Sequence, residues 1–221
     1  LLPDDLENRL RSYLESEGLT LEFFKNYKLW ATVQLILALK LFSDYDVSLD
    51  QYIWDTADAL GKKLEGIEEA YRQINIFDTL SIEEQLHYLN ESLNYLENYN
   101  EATNLDGKII DSYLSGDLGN LQNLLTDEYD EQDPLLEKIM KKVLNDRNYN
   151  MTDAIIALIT NNSEKQYFFA IGAAHFYGED NVISLLENQG YLVTRVTFNE
   201  CEACDEGEIQ INGRCYIPYE K

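Results

Sequence analysis

The chain has 221 residues, of which 45% are hydrophobic, and its 41 acidic residues outnumber its 17 basic residues, so that its net charge is -24. That hydrophobic fraction excludes an intrinsically disordered chain, and the length suits one domain with a substantial core. The negative charge repels nucleic acid and anionic membrane surfaces, so neither is expected as a partner. We interpret most of the acidic residues as a solvated surface rather than as an acidic binding face.

Most of the chain carries helical sequence patterns. Leu6, Leu10 and Leu14 recur every four residues, which predicts a helix over residues 3–17. The apolar run LWATVQLILALKLF, residues 29–42, is shorter than the roughly 20 residues that span a bilayer. We therefore expect it to lie in a buried helix over residues 20–41, with no membrane span. Further helices are predicted over residues 48–60, 81–99, 117–125, 133–148 and 150–160.

The pattern changes after residue 165. The aromatic run QYFFAIGAA, residues 166–174, predicts a buried strand, the segment 180–190 a helix, and YLVTRVTF, residues 191–198, a second strand. A third short strand is predicted at residues 63–67. Strand, helix and strand in succession form a βαβ unit with parallel strands. The sequence thus predicts an α/β fold, predominantly helical, with a small, partly parallel sheet.

A histidine lies at the carboxyl end of the first predicted strand of this unit. Active sites commonly lie at the carboxyl ends of parallel strands, so His175 is a candidate site residue. The other histidine, His87, follows Glu84 at a spacing that metal-binding bundles use, but no second such pair is present, and we interpret it as a surface residue.

Three cysteines lie near the carboxyl end, at positions 201, 204 and 215. A closed zinc site needs four ligands and no histidine is close in sequence, which disfavours zinc. The turn residues between the cysteines favour a small disulfide-linked hairpin, which would suit an exported protein. We therefore separate a domain at residues 1–198 from a cysteine-containing tail at residues 199–221, and expect an extracellular or cell-surface location.

A family resemblance rests on four stretches taken in order: GIEEAYRQINIFDTLSIEEQL, YLSGDLGNL, DRNYNM and FFAIGAAHFYGEDNVISLLENQGYLVTRV. Together they resemble the carboxyl-terminal two-thirds of the TraB/GumN family, which includes the Tiki metalloproteases and is related to the erythromycin esterase and ChaN folds. The resemblance covers about residues 3–198. Since the chain opens on Leu-Leu-Pro without an initiator Met, we expect it to be truncated or processed at its amino end.

The resemblance implies a set of site residues. The family's second Gly-x-x-His motif matches Gly172 and His175, with Gly178 following. Its Gly-Leu-Glu motif and later Gln match Gly66, Glu68 and Gln73. Its Arg-Asn-x-x-Met matches the three residues Arg147, Asn148 and Met151. The family's first motif, Gly-Thr-x-His, has no counterpart here.

By the same resemblance, His175 would bind a divalent metal such as Mn, Co or Zn, and Glu68 would be its second ligand or the general base. Arg147 would hold a substrate carboxylate or an oxyanion. The implied function is a metal-dependent, peptidase-like hydrolase acting on a peptide or protein. An amino-terminal segment or a second chain would complete the sheet and the site. The alternatives are a hydrogen-bonded structural histidine, an ion pair between Glu68 and Arg147, and a non-catalytic extracellular module that binds a peptide or signal.

Overall fold

The computed structural model describes residues 2–42, 47–99, 105–127, 133–178 and 180–196, together with two short strands near the carboxyl end. The α-helices of these parts are, in chain order, α1 (Asp4–Ser16), α2 (Leu21–Phe24), α3 (Leu29–Phe42), α4 (Leu49–Ala59), α5 (Ala70–Asp78), α6 (Ile82–Glu97), α7 (Leu105–Ser115), α8 (Leu118–Asp127), α9 (Pro134–Val143), α10 (Asn145–Asn161) and α11 (Val182–Asn188). A short 3-10 helix (Ala173–Phe176) precedes α11, and β1 (Ile209–Ile211) pairs antiparallel with β2 (Arg214–Tyr216). Within the described residues, none of the helices has both the length and the apolar character that membrane crossing requires.

The largest core is formed by α1, α3 and α6. Leu10 and Leu14 lie one turn apart on α1 and belong to the same buried cluster as Leu89 and Leu93 of α6. The four-residue spacing that predicted α1 therefore produces its buried face. At the edge of this core, the Arg9 guanidinium pairs with the Glu97 carboxylate at 2.7 Å and ties α1 to α6.

The helix predicted over residues 20–41 is two helices rather than one. α2 ends at Phe24 and α3 begins at Leu29, with a turn between them that contains Asn26, a weak helix former. The turn brings the rings of Phe24 and Tyr27 to 6.1 Å between centroids, and Phe24 is buried in the core. Aromatic packing at the turn compensates for the interrupted helix.

A second core joins α5 to α9 and so positions one side of the candidate site. Ile76 and Phe77 of α5 cluster with Leu135 and Ile139 of α9. The start of α9 is fixed because the Asp133 carboxylate accepts hydrogen bonds from the first-turn backbone N–H groups and Pro134 occupies the first helical position. This cap is the one that the sequence predicts.

A third core holds the segment around the candidate histidine against α10 and α11. Its buried members are Met151 and Ile155 of α10 and Val182 of α11. The half-buried side chains packed against it come from the preceding loops, the 3-10 helix and the helices themselves: Ile67, Ile159, Phe169, Ile171, Phe176 and Leu186. Packing on α10 and α11 therefore places the 3-10 helix against the amino-terminal half of α10.

The predicted α/β fold class is wrong, because the described residues contain no parallel sheet and no βαβ unit. Residues 63–67, 166–172 and 191–196 have no strand partner. Residues 167–172 do alternate between half-buried and exposed positions, as a strand on a core would. They pack this face on helices α10 and α11 instead, which shows how strongly strand formation depends on a neighbouring strand. The described residues around the candidate site are helical, so the sheet that an amino-terminal segment or second chain was expected to complete is not found there.

Candidate functional site

His175 lies in the 3-10 helix and is buried, with 6% of its surface exposed. Its ring Nδ1 is 2.7 Å from Oδ1 of Asn148, which itself is 2% exposed on the inner face of α10. The Asn148 Nδ2 donates to the backbone carbonyl of Asp180 at 2.8 Å. These contacts join the turn that carries the histidine, α10 and the entry to α11.

The Asn148 amide determines which tautomer the imidazole adopts. Because its Nδ2 donates to the Asp180 carbonyl, its Oδ1 must face the ring as an acceptor. The His175 Nδ1 therefore carries the hydrogen, and Nε2 carries the free lone pair. No hydrogen bond to this Nε2 is found within the described residues, so the lone pair is left for another ligand.

The imidazole is held in its neutral form. Burial lowers the pKa of His175 to about 4, assisted by the positive charge of Arg147 and opposed by the negative charge of Glu68. A neutral imidazole is the form that binds a metal ion. A base with a pKa near 4 is weak at neutral pH, so this environment favours metal binding over proton abstraction.

Glu68 and Arg147 form a forked ion pair next to this histidine. The Arg147 Nε lies 3.1 Å from each Glu68 carboxylate oxygen, and Nη2 donates to Oε2 at 2.8 Å. Nη1 donates to the backbone carbonyl of Val143 at 3.2 Å. The two side chains are 17% and 18% exposed, so the pair is largely desolvated and joins the loop before α5 to α10.

The backbone near the site favours glycine at two positions, Gly66 and Gly178, whereas Gly172 has no clear steric role. A Cβ at Gly66 would lie 3.1 Å from the backbone oxygen of Glu68, so the absence of a side chain lets the chain turn closely there. Gly178 has a φ of 81°, a conformation that favours glycine, in the turn before α11. A Cβ at Gly172 would lie 3.8 Å from Cδ2 of His175, which is ordinary contact, so nothing in the described packing requires glycine at that position.

Glu68 pairs with Arg147, and His175 contacts Asn148. The charges of Glu68 and Arg147 also act on the His175 ring. Met151 belongs to the core beneath them. Gln73 is exposed on α5, and within the described residues it makes no hydrogen bond to the others. The predicted surface position of His87 is confirmed, and its Nε2 lies 2.6 Å from Oδ2 of Asp133.

Two features of this region were not predicted from the sequence. The Asp180 carbonyl fixes the orientation of the Asn148 amide, and a backbone group leaves no sequence signal. The Tyr177 hydroxyl is buried without a hydrogen-bond partner within the described residues, and burial raises the pKa of this side chain.

As a metal site, the described residues are incomplete. They contain no group of three or more His, Cys, Asp or Glu side chains that could hold a metal ion. Hydrolytic metal ions commonly have about three protein ligands, and His175 with Glu68 offers two. The Glu68 Oε1 accepts one hydrogen bond from Arg147 and keeps a second lone pair, whereas Oε2 accepts two. The donor set therefore fits part of a metal coordination sphere.

Comparison with known proteins gives a consistent result. The model of the TraB/PrgY/gumN family matches residues 1–195. A protein of Amphimedon queenslandica named Metalloprotease TIKI homolog is 27% identical over an alignment that covers 86% of this chain and 41% of that protein. Metalloprotease TIKI2 of Xenopus tropicalis is 25% identical over 87% of this chain and 45% of its own length. The chain spans less than half the length of these relatives, and no solved structure matches it.

Proposed function

This chain belongs to the TraB/PrgY/gumN family, and on that premise we propose that it takes part in metal-dependent hydrolysis of peptides or proteins. The relatives named metalloproteases support the reaction class. The observation that carries the proposal for this chain is the buried His175 imidazole, kept neutral and oriented by Asn148 with its Nε2 lone pair available. We propose an extracellular or cell-surface location for this activity.

In this proposal the His175 Nε2 is one metal ligand and a Glu68 oxygen is a second. The metal would be Mn, Co or Zn, and ligands beyond the described residues would complete its coordination. When bound, the ion would activate a water molecule and polarise the scissile carbonyl. Asn148 keeps the imidazole in the tautomer that can bind the ion, a supporting role common around metal-bound histidines.

Arg147 serves three purposes in this arrangement. Its contacts with Glu68 and the Val143 carbonyl use three of its five N–H groups and orient the carboxylate. The remaining two N–H groups could stabilise negative charge that develops on the substrate oxygen. Its positive charge also helps to keep the imidazole unprotonated.

The test is a cleavage assay on a peptide library with the purified chain and added Mn²⁺, Co²⁺ or Zn²⁺. We expect cleavage that a chelator stops and that His175→Ala abolishes. His87→Ala is the matched control, because it removes the other histidine from the surface and should leave cleavage unchanged. Cleavage that persists in His175→Ala, or that ignores the chelator, would contradict the proposal.

A second candidate function is binding: the chain would be a non-catalytic extracellular module that binds a peptide or signal. The forked ion pair between Arg147 and Glu68 favours this candidate, because such a pair can serve only to join a loop to a helix, without a catalytic role. This alternative predicts peptide binding that is the same with and without chelator, with no metal found by elemental analysis. Stoichiometric metal that depends on His175 would exclude it.

A further inference from the structure

A basic cleft opens beside the candidate site, between α5, α9 and α10. It encloses about 350 Å³, and its charged lining residues are Arg72, Lys142, Asp146 and Arg147. A neighbouring cleft of about 460 Å³ shares Lys142 and Asp146 with it, so the two form one groove along α9. Two further lysines of α9, Lys138 and Lys141, line that second part together with one carboxylate, that of Glu137.

The charge of this groove is opposite to that of the protein. The chain carries a net charge of -24, yet the first cleft is lined by three cationic side chains and one carboxylate, that of Asp146. A concave surface bounded by low-dielectric protein focuses such a local field. Anions that the rest of the surface repels are therefore attracted here.

Two cations of the first cleft, Arg72 and Lys142, are available to a ligand. Arg147 is already paired with Glu68, and Lys138 with Glu84. Lys142 forms no ion pair within the described residues. Arg72 donates through Nη1 to the neutral amide oxygen of Asn150 at 3.0 Å, which orients the guanidinium without neutralising it.

The position of the cleft relates it to the proposed reaction. Arg147 lines the cleft with one side and pairs with Glu68 on the other, and its charge acts on the His175 ring. Because Arg147 belongs to both, the cleft adjoins the candidate site through this side chain. We propose that this cleft, through Lys142 and Arg72, binds a carboxylate of the peptide substrate. The inference rests on the proposed function, because it names the class of peptide that the site accepts.

The carboxylate could be the peptide's carboxyl terminus or an acidic side chain, and matched probes distinguish these sources. The first probe is a rhodamine-labelled Gly-Ser peptide that ends in Glu-Glu with a free carboxyl terminus. The second has the same sequence with a terminal amide, and the third ends in a Gln-Gln amide. Equilibrium binding is measured by fluorescence anisotropy, which requires no cleavage and so does not depend on the hydrolase proposal.

We expect the first probe to bind more tightly than the third, and Lys142→Gln or Arg72→Gln to weaken its binding about tenfold, as expected for loss of a charged hydrogen bond. Lys165→Gln is the control, since it removes an equal charge from an exposed position outside the cleft. Far-UV circular dichroism of each variant checks folding. The second probe assigns the source: weak binding indicates the terminal carboxylate, and retained binding indicates the side chains.

Equal binding of the charged and neutral probes would overturn the inference, as would an effect of Lys165→Gln equal to that of Lys142→Gln. Absence of binding by all three probes would overturn it too. Failure of the hydrolase proposal has a different signature, because the probes would still bind through Lys142 while no His175-dependent cleavage is found.

Discussion

Replacing Asn148 with Ala should destabilise the protein and release the imidazole from its fixed tautomer. Asn148 is 2% exposed, and its amide bridges the His175 Nδ1 at 2.7 Å and the Asp180 carbonyl at 2.8 Å. Truncation leaves both partners without this contact. Each buried group that loses its hydrogen bond costs about 1–3 kcal/mol.

The expected loss in unfolding free energy is therefore about 3 kcal/mol. For a chain of this size, that corresponds to a fall in Tm of about 6–12 °C. Urea denaturation followed by far-UV circular dichroism measures the loss. Asn188→Ala, at an exposed position on α11, is the matched control and should change stability by less than about 0.5 kcal/mol.

Asn148→Asp separates the hydrogen bond from its charge. The carboxylate keeps an acceptor for the His175 Nδ1, and its negative charge should raise the pKa of His175 back toward the ordinary 6.5. An NMR titration of the ring resonances measures this change in the pKa of His175. The reasoning is refuted if Asn148→Ala is no more destabilising than Asn188→Ala and the His175 titration is the same in both Asn148 variants.

Three further predictions concern the site and its supports. Because the pKa of His175 falls from 6.5 to about 4 on folding, the unfolded chain binds more protons between these values. Stability should therefore rise by about 3 kcal/mol from pH 4 to pH 6.5, and His175→Gln should flatten this rise in urea denaturation. Glu68→Gln should lower the free energy of unfolding by about 2 kcal/mol. A double-mutant cycle with Arg147→Gln should give a coupling energy of at least about 1 kcal/mol, and additive effects would contradict the pairing. Gly66→Ala should destabilise the protein by about 1 kcal/mol in thermal unfolding, because its Cβ would contact the Glu68 carbonyl. Gly107→Ala should stabilise the protein, because the added Cβ would lie in open space on α7.

Several helices of this protein, among them α1 and α9, can be predicted from sequence because their signals are local. Leucines four residues apart give α1 its buried face, and Asp133 with Pro134 marks the start of α9. The grouping of Glu68, Arg147 and His175 follows from the family resemblance, which carries long-range information that periodicity lacks. Their catalytic roles stay a prediction.

The sheet prediction was wrong because a strand depends on partner strands, and sequence periodicity does not reveal whether they are present. Phe169 and Ile171 alternate with exposed residues as strand residues do, but they pack on helices instead. The basic cleft was missed for a related reason. Arg72, Lys142 and Arg147 come from three separate helices, and only the tertiary packing brings them together.

The central claim is that His175 presents an unprotonated Nε2 for a metal ion, and nitrogen NMR of the imidazole tests it most directly. At pH 7 we predict a hydrogen on the His175 Nδ1, none on Nε2, and a shift of the Nε2 resonance on adding one equivalent of Zn²⁺. His87, exposed and paired with Asp133, provides an internal reference in the same spectrum. A hydrogen on the His175 Nε2, or a resonance that Zn²⁺ leaves in place, would contradict the account.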